Sequence, residues 1–271
     1  MTLERIVAFC LVAHDGEALT RFYAALGFVL ETVGPIPTAE AALLGLAGGG
    51  TRWSLRLGRS RLRIDQYAHP GRPYPADEDA AALCFQHFAL VSDDVDAAWT
   101  HALAVGALPI SRDGPVMLPA SAGGVIAVKF RDPEGHPLEL IRFPDRARPD
   151  WQGQGILGID HSAIVVADAD RSRAFYRGQG LTSSEATLNH GPTQVALDAL
   201  ADVQVDVMPM RPADQEPHIE LLHYRMPHRD TGRPWTVEDV AATRIVWRGG
   251  APALLRDPDG HILQVDHAEQ A

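Results

Sequence analysis

Two stretches of the chain repeat each other: Arg-Asp-Pro-Glu-Gly-His-Pro-Leu-Glu-Leu at 131–140 and Arg-Asp-Pro-Asp-Gly-His-Ile-Leu-Gln-Val at 256–265. Asp-Pro-x-Gly favours a tight turn, because proline presets its own φ, glycine tolerates a positive φ, and aspartate accepts hydrogen bonds from the backbone just ahead. The alternating residues that follow predict a strand entered through a hairpin turn. The repetition therefore predicts a chain built from related modules.

The strand after the first turn places a carboxylate on an otherwise apolar face. Glu139 shares that face with Ile141 and Phe143, while Leu138 and Leu140 point the other way. A glutamate at the end of a strand can simply reach water, and it can also be a metal ligand or a catalytic base. The second copy has Gln264 at the same place, so the two copies are not chemically equivalent.

The composition is that of an ordinary soluble globular protein, with 46% hydrophobic and 22% charged residues in 271. No apolar run approaches a membrane span, and the N-terminal residues lack the features of a signal peptide, so the cytoplasm is the expected location. The formal charge of −11 makes nucleic acids and membranes poor partners. We expect a small-molecule substrate, and Cys10 and Cys84 as buried free thiols.

The order of predicted elements is β-α-β-β-β, four times in succession. Phe175-Tyr176 and Gly180 follow Phe22-Tyr23 and Gly27 by 153 positions, so the chain has two related halves. Tyr67 and Tyr224 are 157 positions apart, but the two turn motifs are only 125 apart, so the fourth module is about 32 residues shorter. Most of a helix and a strand should be missing there.

These repeats define the predicted domains. The first domain covers 1–145 as modules 1–79 and 80–145, a polar linker covers 146–156, and the second domain covers 157–271 as module 157–226 and the shortened module 227–271. The predicted helices are 16–26, about 94–105 and 171–180. The predicted strands are 6–12, 28–33, 54–57, 62–67, 85–91, 109–111, 125–130, 138–143, 159–168, 183–188, 194–197, 204–207, 218–224, 243–248, 253–255 and 262–267.

Four such modules, with a histidine in a first strand and Asp-Pro-x-Gly-His-x-Leu-Glu before a last strand, resemble the vicinal oxygen chelate superfamily. That superfamily includes glyoxalase I, extradiol ring-cleaving dioxygenases, and bleomycin and fosfomycin resistance proteins. The resemblance implies an α+β fold of four βαβββ modules that form two U-shaped mixed sheets, with helices on the convex faces. It also implies metal ligands on the concave faces, one from the first strand and one from the last strand of each module.

Carried over position by position, this pattern is complete only in modules two and three. These supply His87 and Glu139, and His161 and Glu220. Module one has Ala8 and Arg63 at the matching positions. Module four has Gln264 in its last strand and offers Ala241, Ala242 or Thr243 in its first.

The pairing of the modules decides what this ligand set means. If module one pairs with two and three with four, as in extradiol enzymes, each site holds one histidine and one glutamate. If two pairs with three and one with four, as in single-chain tandem glyoxalases, His87, Glu139, His161 and Glu220 converge. We favour the convergent arrangement, because all four residues are retained in adjacent modules and absent from the outer ones.

The convergent set is the composition seen in bacterial-type glyoxalase I. Imidazole and carboxylate ligands suit one divalent ion such as Ni, Co, Zn, Mn or Fe. The resemblance then implies a lyase or isomerase whose metal chelates vicinal oxygens of the substrate, with Glu139 or Glu220 moving the proton. No motif indicates glutathione or any other thiol cofactor.

Two other functions stay open. An Fe(II) extradiol dioxygenase needs only two histidines and one glutamate, although module four lacks the second histidine that such enzymes carry. A metal-free small-molecule binding or resistance protein has no need of four retained ligands. The chain supplies four modules by itself, so either a monomer or a homodimer is compatible with a complete site.

Several further residues are assigned from their strand positions. Tyr67, Tyr224 and Arg63 are weaker candidates for substrate binding, with a structural salt bridge as the favoured role of Arg63. His136 and His261 follow the turn glycine in both copies, including the copy that lacks the glutamate. They are therefore predicted to be structural rather than metal ligands.

Overall fold

The computed structural model describes residues 2–144, 151–214 and 217–266. Module one contains β1 (Arg5–Val12), α1 (Gly16–Ala25), β2 (Val29–Pro35), α2 (Thr38–Leu44), β3 (Gly50–Leu57) and β4 (Ser60–Tyr67). Module two contains β5 (Gln86–Ser92), α3 (Val95–Ala104), β6 (Leu108–Pro109), β7 (Val116–Met117), a single 3-10 turn (Ala120–Ala122), β8 (Ile126–Arg131) and β9 (Pro137–Arg142).

The second half of the chain repeats this plan in reduced form. Module three contains β10 (Ile156–Val165), α4 (Ala169–Gly178), β11 (Thr182–Ser183), β12 (Thr187–His190), α5 (Pro192–Asp198), β13 (Gln204–Arg211) and β14 (His218–Met226). Module four contains β15 (Arg244–Arg248), β16 (Ala253–Arg256) and β17 (Ile262–Asp266). Its described residues contain no helix, as the spacing of the repeats predicts.

The strands form two mixed sheets, each made from two modules. Modules one and four form the outer-module sheet, in the order β16-β17-β15-β1-β4-β3-β2. Modules two and three form the inner-module sheet, in the order β11-β13-β14-β10-β5-β9-β8-β6, with β12 on β13 and β7 on β8. Modules two and three therefore pair, as we expected. Each sheet contains strands from both halves of the sequence. The division into consecutive domains 1–145 and 157–271 stays a prediction.

The three longer helices begin in the same way. Asp15, Asp94 and Asp168 precede α1, α3 and α4, and each side chain accepts a hydrogen bond from the backbone N–H three residues on. This satisfies one of the amides that a helix start leaves without a partner. The helices then pack on the sheet faces that lead into the main core, α1 on β3 and β4, α3 on β8 and β9, and α4 on β14.

The main core joins the two sheets. Phe9 of β1 stacks on Phe88 of β5 with 5.7 Å between the ring centroids, and Tyr23 of α1 contacts the same ring. Phe9 follows Ala8 in β1, and Phe88 follows His87 in β5, so each points away from the face that carries the family's ligand position. The faces with the ligand positions are therefore the ones that point away from the main core.

The repeated turn is held by the same contacts in both copies. His136 Nδ1 lies 2.8 Å from Asp132 Oδ2, and its Nε2 lies 3.0 Å from the Val12 carbonyl oxygen. In the second copy, His261 Nε2 lies 2.8 Å from the Val165 carbonyl oxygen. Each histidine thus ties the turn of one module to the end of the first strand of the preceding module. The structural role predicted for both is confirmed.

Two short helices depart from the predictions. The segment 194–197 was predicted to be a strand and instead lies in α5, which begins with a proline in its first turn. Its apolar residues are too few for their period to distinguish a strand from one turn of helix, so that prediction was wrong. Helix α2 occupies a loop in the predicted scheme. The predicted linker 146–156 lies partly outside the described residues. In the part of the chain that the structure describes, no helix is long and apolar enough to cross a membrane.

Candidate metal centre

The inner-module sheet brings the first strands of modules two and three together. β5 and β10 run antiparallel, with His87 opposite Ala163 and Ala89 opposite His161. On the outer sides, β9 places Glu139 beside Ala89, and β14 places Glu220 beside Ala163. Residues that are adjacent across strands point to the same face of a sheet, so these registers gather the two histidines and the two glutamates at one point.

The four side chains are close together at that point. His87 Nε2 lies 3.3 Å from Glu139 Oε2, His161 Nε2 lies 3.7 Å from the same oxygen, and His161 Nε2 lies 3.6 Å from Glu220 Oε2. The ring centroids of His87 and His161 are 5.8 Å apart. Both rings and Glu139 are buried, while the side chain of Glu220 keeps 19% of its exposure.

The charges around this point do not balance. Burial alone would lower the pKa of His161, but the carboxylates of Glu220, Asp160 and Glu139 raise it to about 9. Burial raises the pKa of Glu220, yet His161 and His218 bring it down to about 2. The cluster therefore has an excess of carboxylate charge, which favours any cation placed between these groups.

Like His218, His87 has two ring nitrogens that no described residue satisfies. Burial lowers its pKa, so the ring is held neutral with a lone pair on one nitrogen. Among the described residues neither ring nitrogen has a hydrogen-bond partner. A buried polar group without a partner is costly, and a metal ion would satisfy it.

Two residues that the sequence patterns did not single out belong to this cluster. Asp160 Oδ2 lies 3.0 Å from His161 Nδ1, which directs Nε2 of the same ring towards the glutamates. His218 lies beside His161 in the register of β10 and β14, with its Nε2 3.6 Å from Glu220 Oε1. The signal for His218 was its spacing, since it precedes Glu220 by two residues and so shares its face.

A cavity of about 260 Å³ opens in front of the cluster. Its wall is mainly apolar and includes Leu118, Val125, Ile141, Phe143, Leu197, Val205, Val207 and Leu222. At one side, Lys129 Nζ donates to Asp198 Oδ1 at 2.7 Å, and Tyr224 Oη donates to Asp198 Oδ2 at 3.0 Å. This buried network was not predicted, because α5, which carries Asp198, was taken for a strand.

The three weaker site candidates lie in different places. Tyr224 lines the cavity, as expected for a substrate contact. Tyr67 and Arg63 lie in the outer-module sheet, where Tyr67 accepts a hydrogen bond from Arg244 and Arg63 forms a 3.0 Å ion pair with Asp266. These two residues are not brought to the histidine and glutamate cluster, because module one pairs with module four.

The corresponding face of the outer-module sheet carries a different set. β15 pairs Val246 with Gln264, just as β5 pairs Ala89 with Glu139. The first-strand position of module four is therefore Arg244, two residues before Val246. The expectation of Ala241, Ala242 or Thr243 there was wrong, because the shortened module gave no helix from which to count the register.

The positively charged side chain of Arg244 occupies the corresponding face of the outer-module sheet. Its fully buried guanidinium donates to Asp65 Oδ2 at 2.6 Å, Tyr67 Oη at 2.6 Å and Cys10 Sγ at 2.9 Å. Arg52 binds Asp65 from the other side. Cys10 and Cys84 are both free and buried, as predicted.

The donors of the inner-module sheet fit a divalent ion. His87, Glu139 and His161 each offer one ligand atom, and these atoms lie within 4.8 Å of one another. Ligand atoms about 2.1 Å from one ion would lie about 3 Å apart when adjacent and about 4 Å when opposite, a range that includes the observed separations. The unsatisfied imidazole of His87 and the surplus carboxylate charge also favour a bound divalent ion.

Comparisons with known proteins agree with this architecture. A variant of glyoxalase I from Zea mays superposes with a TM-score of 0.63 at 15% identity, covering 97% of this chain and 94% of that one. A protein from Bacillus subtilis named as a candidate dioxygenase superposes with a TM-score of 0.57 at 14% identity, covering 98% and 86%. No curated protein sequence matches the chain. At these identities the likeness establishes the fold alone.

The sequence itself carries the family assignment. Residues 5–140 match the model of the Glyoxalase/Bleomycin resistance protein/Dioxygenase superfamily, which is half of the chain. The match covers modules one and two, and modules three and four repeat their plan in the same two sheets. The chain belongs to the Glyoxalase/Bleomycin resistance protein/Dioxygenase superfamily.

Proposed function

We propose that the protein is a metal-dependent lyase or isomerase of the glyoxalase I type, which moves a proton on a small substrate with vicinal oxygens. The observation that carries the proposal is the convergence of His87, Glu139, His161 and Glu220 from two modules around one buried point. A divalent ion held there would supply Lewis acidity to the two substrate oxygens.

Of the two glutamates, Glu220 is better placed to move a proton. It lines the cavity, and its side chain is 19% exposed, whereas that of Glu139 is 8% exposed and lies between His87 and His161. A base must come within hydrogen-bond reach of the proton that it removes. Glu139 is accordingly the better fixed ligand, and Glu220 is the better proton carrier.

The cavity limits the substrate to a small molecule with an apolar part. Its volume of about 260 Å³ is below the range of about 300–1,000 Å³ that holds drug-sized ligands. The apolar wall excludes water from the reacting atoms, and Tyr224 and Lys129 are the polar groups on one side. Water exclusion would strengthen each electrostatic interaction with the substrate.

An extradiol dioxygenase is the second candidate, and one observation favours it. One group of ligand atoms within 4.8 Å of one another is His87, Glu139 and His161, and Asp160, His161 and His218 form another; each is a set of two histidines and one carboxylate. This is the ligand type of non-haem Fe(II) oxygenases. The objection that module four lacks a histidine does not apply, because the second histidine comes from module three.

Metal analysis followed by two assays tests the proposal. Protein purified without a histidine tag should bind one divalent ion per chain, and a chain without metal affinity would leave the binding-protein alternative. The metal-loaded protein should isomerise a hemithioacetal and should not consume oxygen with a catechol. Oxygen uptake with ring cleavage would replace the proposal with the dioxygenase.

Variants of Glu220 sharpen this distinction. Glu220→Gln should abolish proton transfer by the glyoxalase route while much of the metal remains bound by His87, Glu139 and His161. In the dioxygenase, Glu220→Gln would spare part of the oxygen consumption, because three ligands suffice there. Glu17→Gln, an exposed glutamate on α1, is the matched control and should leave both assays unchanged.

A further inference from the structure

The outer-module sheet contributes to a second and larger cavity, of about 390 Å³. Six arginines line it, and they come from strands β1, β3, β4 and β15 and from the β3–β4 turn: Arg5, Arg56, Arg59, Arg61, Arg63 and Arg248. Among its described lining residues, Asp266 is the only acid. In a chain with a net charge of −11, this concentration of positive charge is opposite to the overall balance.

Among the described residues, several of these arginines share a carboxylate or lie at the limit of ion-pair distance from one. Glu31 binds Arg56 at 2.8 Å and lies 3.9 Å from Arg61, so one acid serves two arginines. Asp214 lies 3.8 Å from Arg5. Arg248 makes no ion pair with any residue in the described ranges 2–144, 151–214 and 217–266. Within the described part of the chain, the charge of Arg248 is therefore not compensated by an ion pair.

The strand registers place like charges directly opposite each other. Arg5 pairs with Arg248 across β1 and β15, and Arg56 pairs with Arg61 across β3 and β4. Like charges at opposed positions of an antiparallel pair destabilise the sheet. Glu31 offsets part of the repulsion between Arg56 and Arg61, and an anion in the cavity would offset more of the repulsion in both pairs.

The same sheet shows what a purely structural arginine cluster looks like. Arg52 and Arg244 are buried, and their guanidinium groups make short hydrogen bonds to Glu40 and Asp65. Both acids have lowered pKa values, since these arginine contacts outweigh the effect of burial. The cavity arginines differ, because Arg5, Arg56 and Arg61 keep 42%, 45% and 61% of their side-chain exposure.

We propose that this arginine-lined cavity binds a small ligand with two or more anionic groups, phosphoryl or carboxylate, at a site separate from the metal centre. A guanidinium presents a planar fork of donors that matches both groups in a bidentate manner. Six arginines line the cavity beside Asp266, so a ligand with two or more charged groups can contact more of them than one monovalent anion can. The strongly negative chain disfavours a nucleic acid, whose phosphates the rest of the surface would repel.

Isothermal titration calorimetry on the full chain tests the proposal. The probes are pyrophosphate for phosphoryl ligands and tricarballylate for carboxylate ligands, with chloride at matched ionic strength as the reference. At least one polyanion should bind with saturation, and the tighter of the two identifies the ligand class. Binding should weaken as salt is raised, because exposed charges are screened. Absence of saturable binding by both probes would overturn the proposal.

Matched variants locate the binding. Arg61→Gln combined with Arg248→Gln removes two lining charges without breaking a close ion pair, and should weaken binding by about tenfold or more. Arg21→Gln combined with Arg173→Gln removes the same charge from α1 and α4 and should bind as wild type does. Equal affinity in both double variants would refute the site.

Two further variants complete the test. The first distinguishes binding at this cavity from binding at the metal centre, and the second distinguishes bidentate binding from simple charge attraction. His87→Ala, which deletes a ligand of the proposed metal centre, should bind pyrophosphate as wild type does, so loss of binding there would mean chelation at the metal centre and would sink the proposal. Arg248→Lys keeps the charge but loses the bidentate fork, and should weaken binding several-fold. Saturable binding of a short single-stranded oligonucleotide, with none of either small probe, would replace the proposed ligand with a nucleic acid.

Discussion

Arg244 occupies in module four the strand position that His87 occupies in module two. Arg244 lies two residues before Val246, which pairs with Gln264 of the last strand in module four. His87 lies two residues before Ala89, which pairs with Glu139 of the last strand in module two. The guanidinium of Arg244 donates a hydrogen bond to the buried carboxylate of Asp65, while both ring nitrogens of His87 have no hydrogen-bond partner among the described residues. One sheet thus carries its positive charge on a side chain, and we propose that the other binds a metal ion from solution.

This difference predicts the effect of removing Arg244. Arg244→Leu should lower the unfolding free energy by about 3–5 kcal/mol, because it leaves a carboxylate buried with one partner fewer. The metal content should stay at one ion per chain. Urea unfolding and metal analysis measure the two quantities, and Arg225→Leu, on an exposed ion pair, is the control with little expected change. A loss of metal in Arg244→Leu would show that both sheets take part in binding.

Alanine at either histidine of the proposed metal centre should remove metal and activity together. His87→Ala and His161→Ala each delete one nitrogen ligand from the set. His136→Ala should instead keep the metal and lower the unfolding free energy by about 3 kcal/mol, since it leaves Asp132 and the Val12 carbonyl without a buried partner. Metal analysis and urea unfolding of the three variants check this. Metal loss in His136→Ala with a native circular dichroism spectrum would contradict it.

Asp160 should tune the metal without being a ligand. Its carboxylate fixes the ring of His161, and loss of such a partner typically costs about 10- to 100-fold in metal affinity. We expect Asp160→Asn to weaken metal binding by that factor while the fold is retained, as measured by competition with a chelating dye. Asp170→Asn, on the exposed side of α4, is the control. Unchanged affinity in Asp160→Asn would remove Asp160 from the site.

His136 gives a prediction for the pH dependence of stability. Burial disfavours its charged form, but Asp132 outweighs burial and raises the pKa of His136. Such a group stabilises the fold fully below its unfolded pKa of about 6.5, and this stability is lost as the pH rises through the folded pKa. The difference in unfolding free energy between wild type and His136→Gln should therefore shrink as the pH is raised above neutrality. A difference that grew with pH would reverse the assignment.

The metal centre should not depend on a second subunit. His87 and Glu139 of module two and His161 and Glu220 of module three all belong to one chain and one sheet. The metal should therefore remain bound when the protein is diluted to a monomer, as followed by size-exclusion chromatography with metal detection. Release of the metal at the monomer's dilution would place part of the site on another subunit.

The sequence predicted the residues that the repeat could align and missed those that only the register reveals. His87, Glu139, His161 and Glu220 were found because the turn motif and the Phe-Tyr pair fix their strand positions. Arg244 was missed because the shortened module four offers no such marker. A repeat therefore predicts which side chains come together where its modules are complete.

The remaining misses have other physical causes. Asp198 was missed because α5 is too short for its apolar period to be distinguished from that of a strand. The arginine cavity was missed although Arg56, Arg59, Arg61 and Arg63 lie within a span of eight residues, because the sequence does not show that Arg5 and Arg248 join them when β1 pairs with β15. The part of the cluster that depends on this pairing is a property of the topology.

That pairing of β1 with β15 also bears on how the protein is made. Phe9 of β1 finds its partner Ile245 only after nearly the whole chain has left the ribosome. Until then β4 covers one edge of β1 and the other edge is open, and an open strand edge is a template for pairing with another chain. Pairing between such distant residues is also slow, because a long loop must close first. We therefore expect a chain truncated before module four to aggregate rather than to fold as half of the molecule.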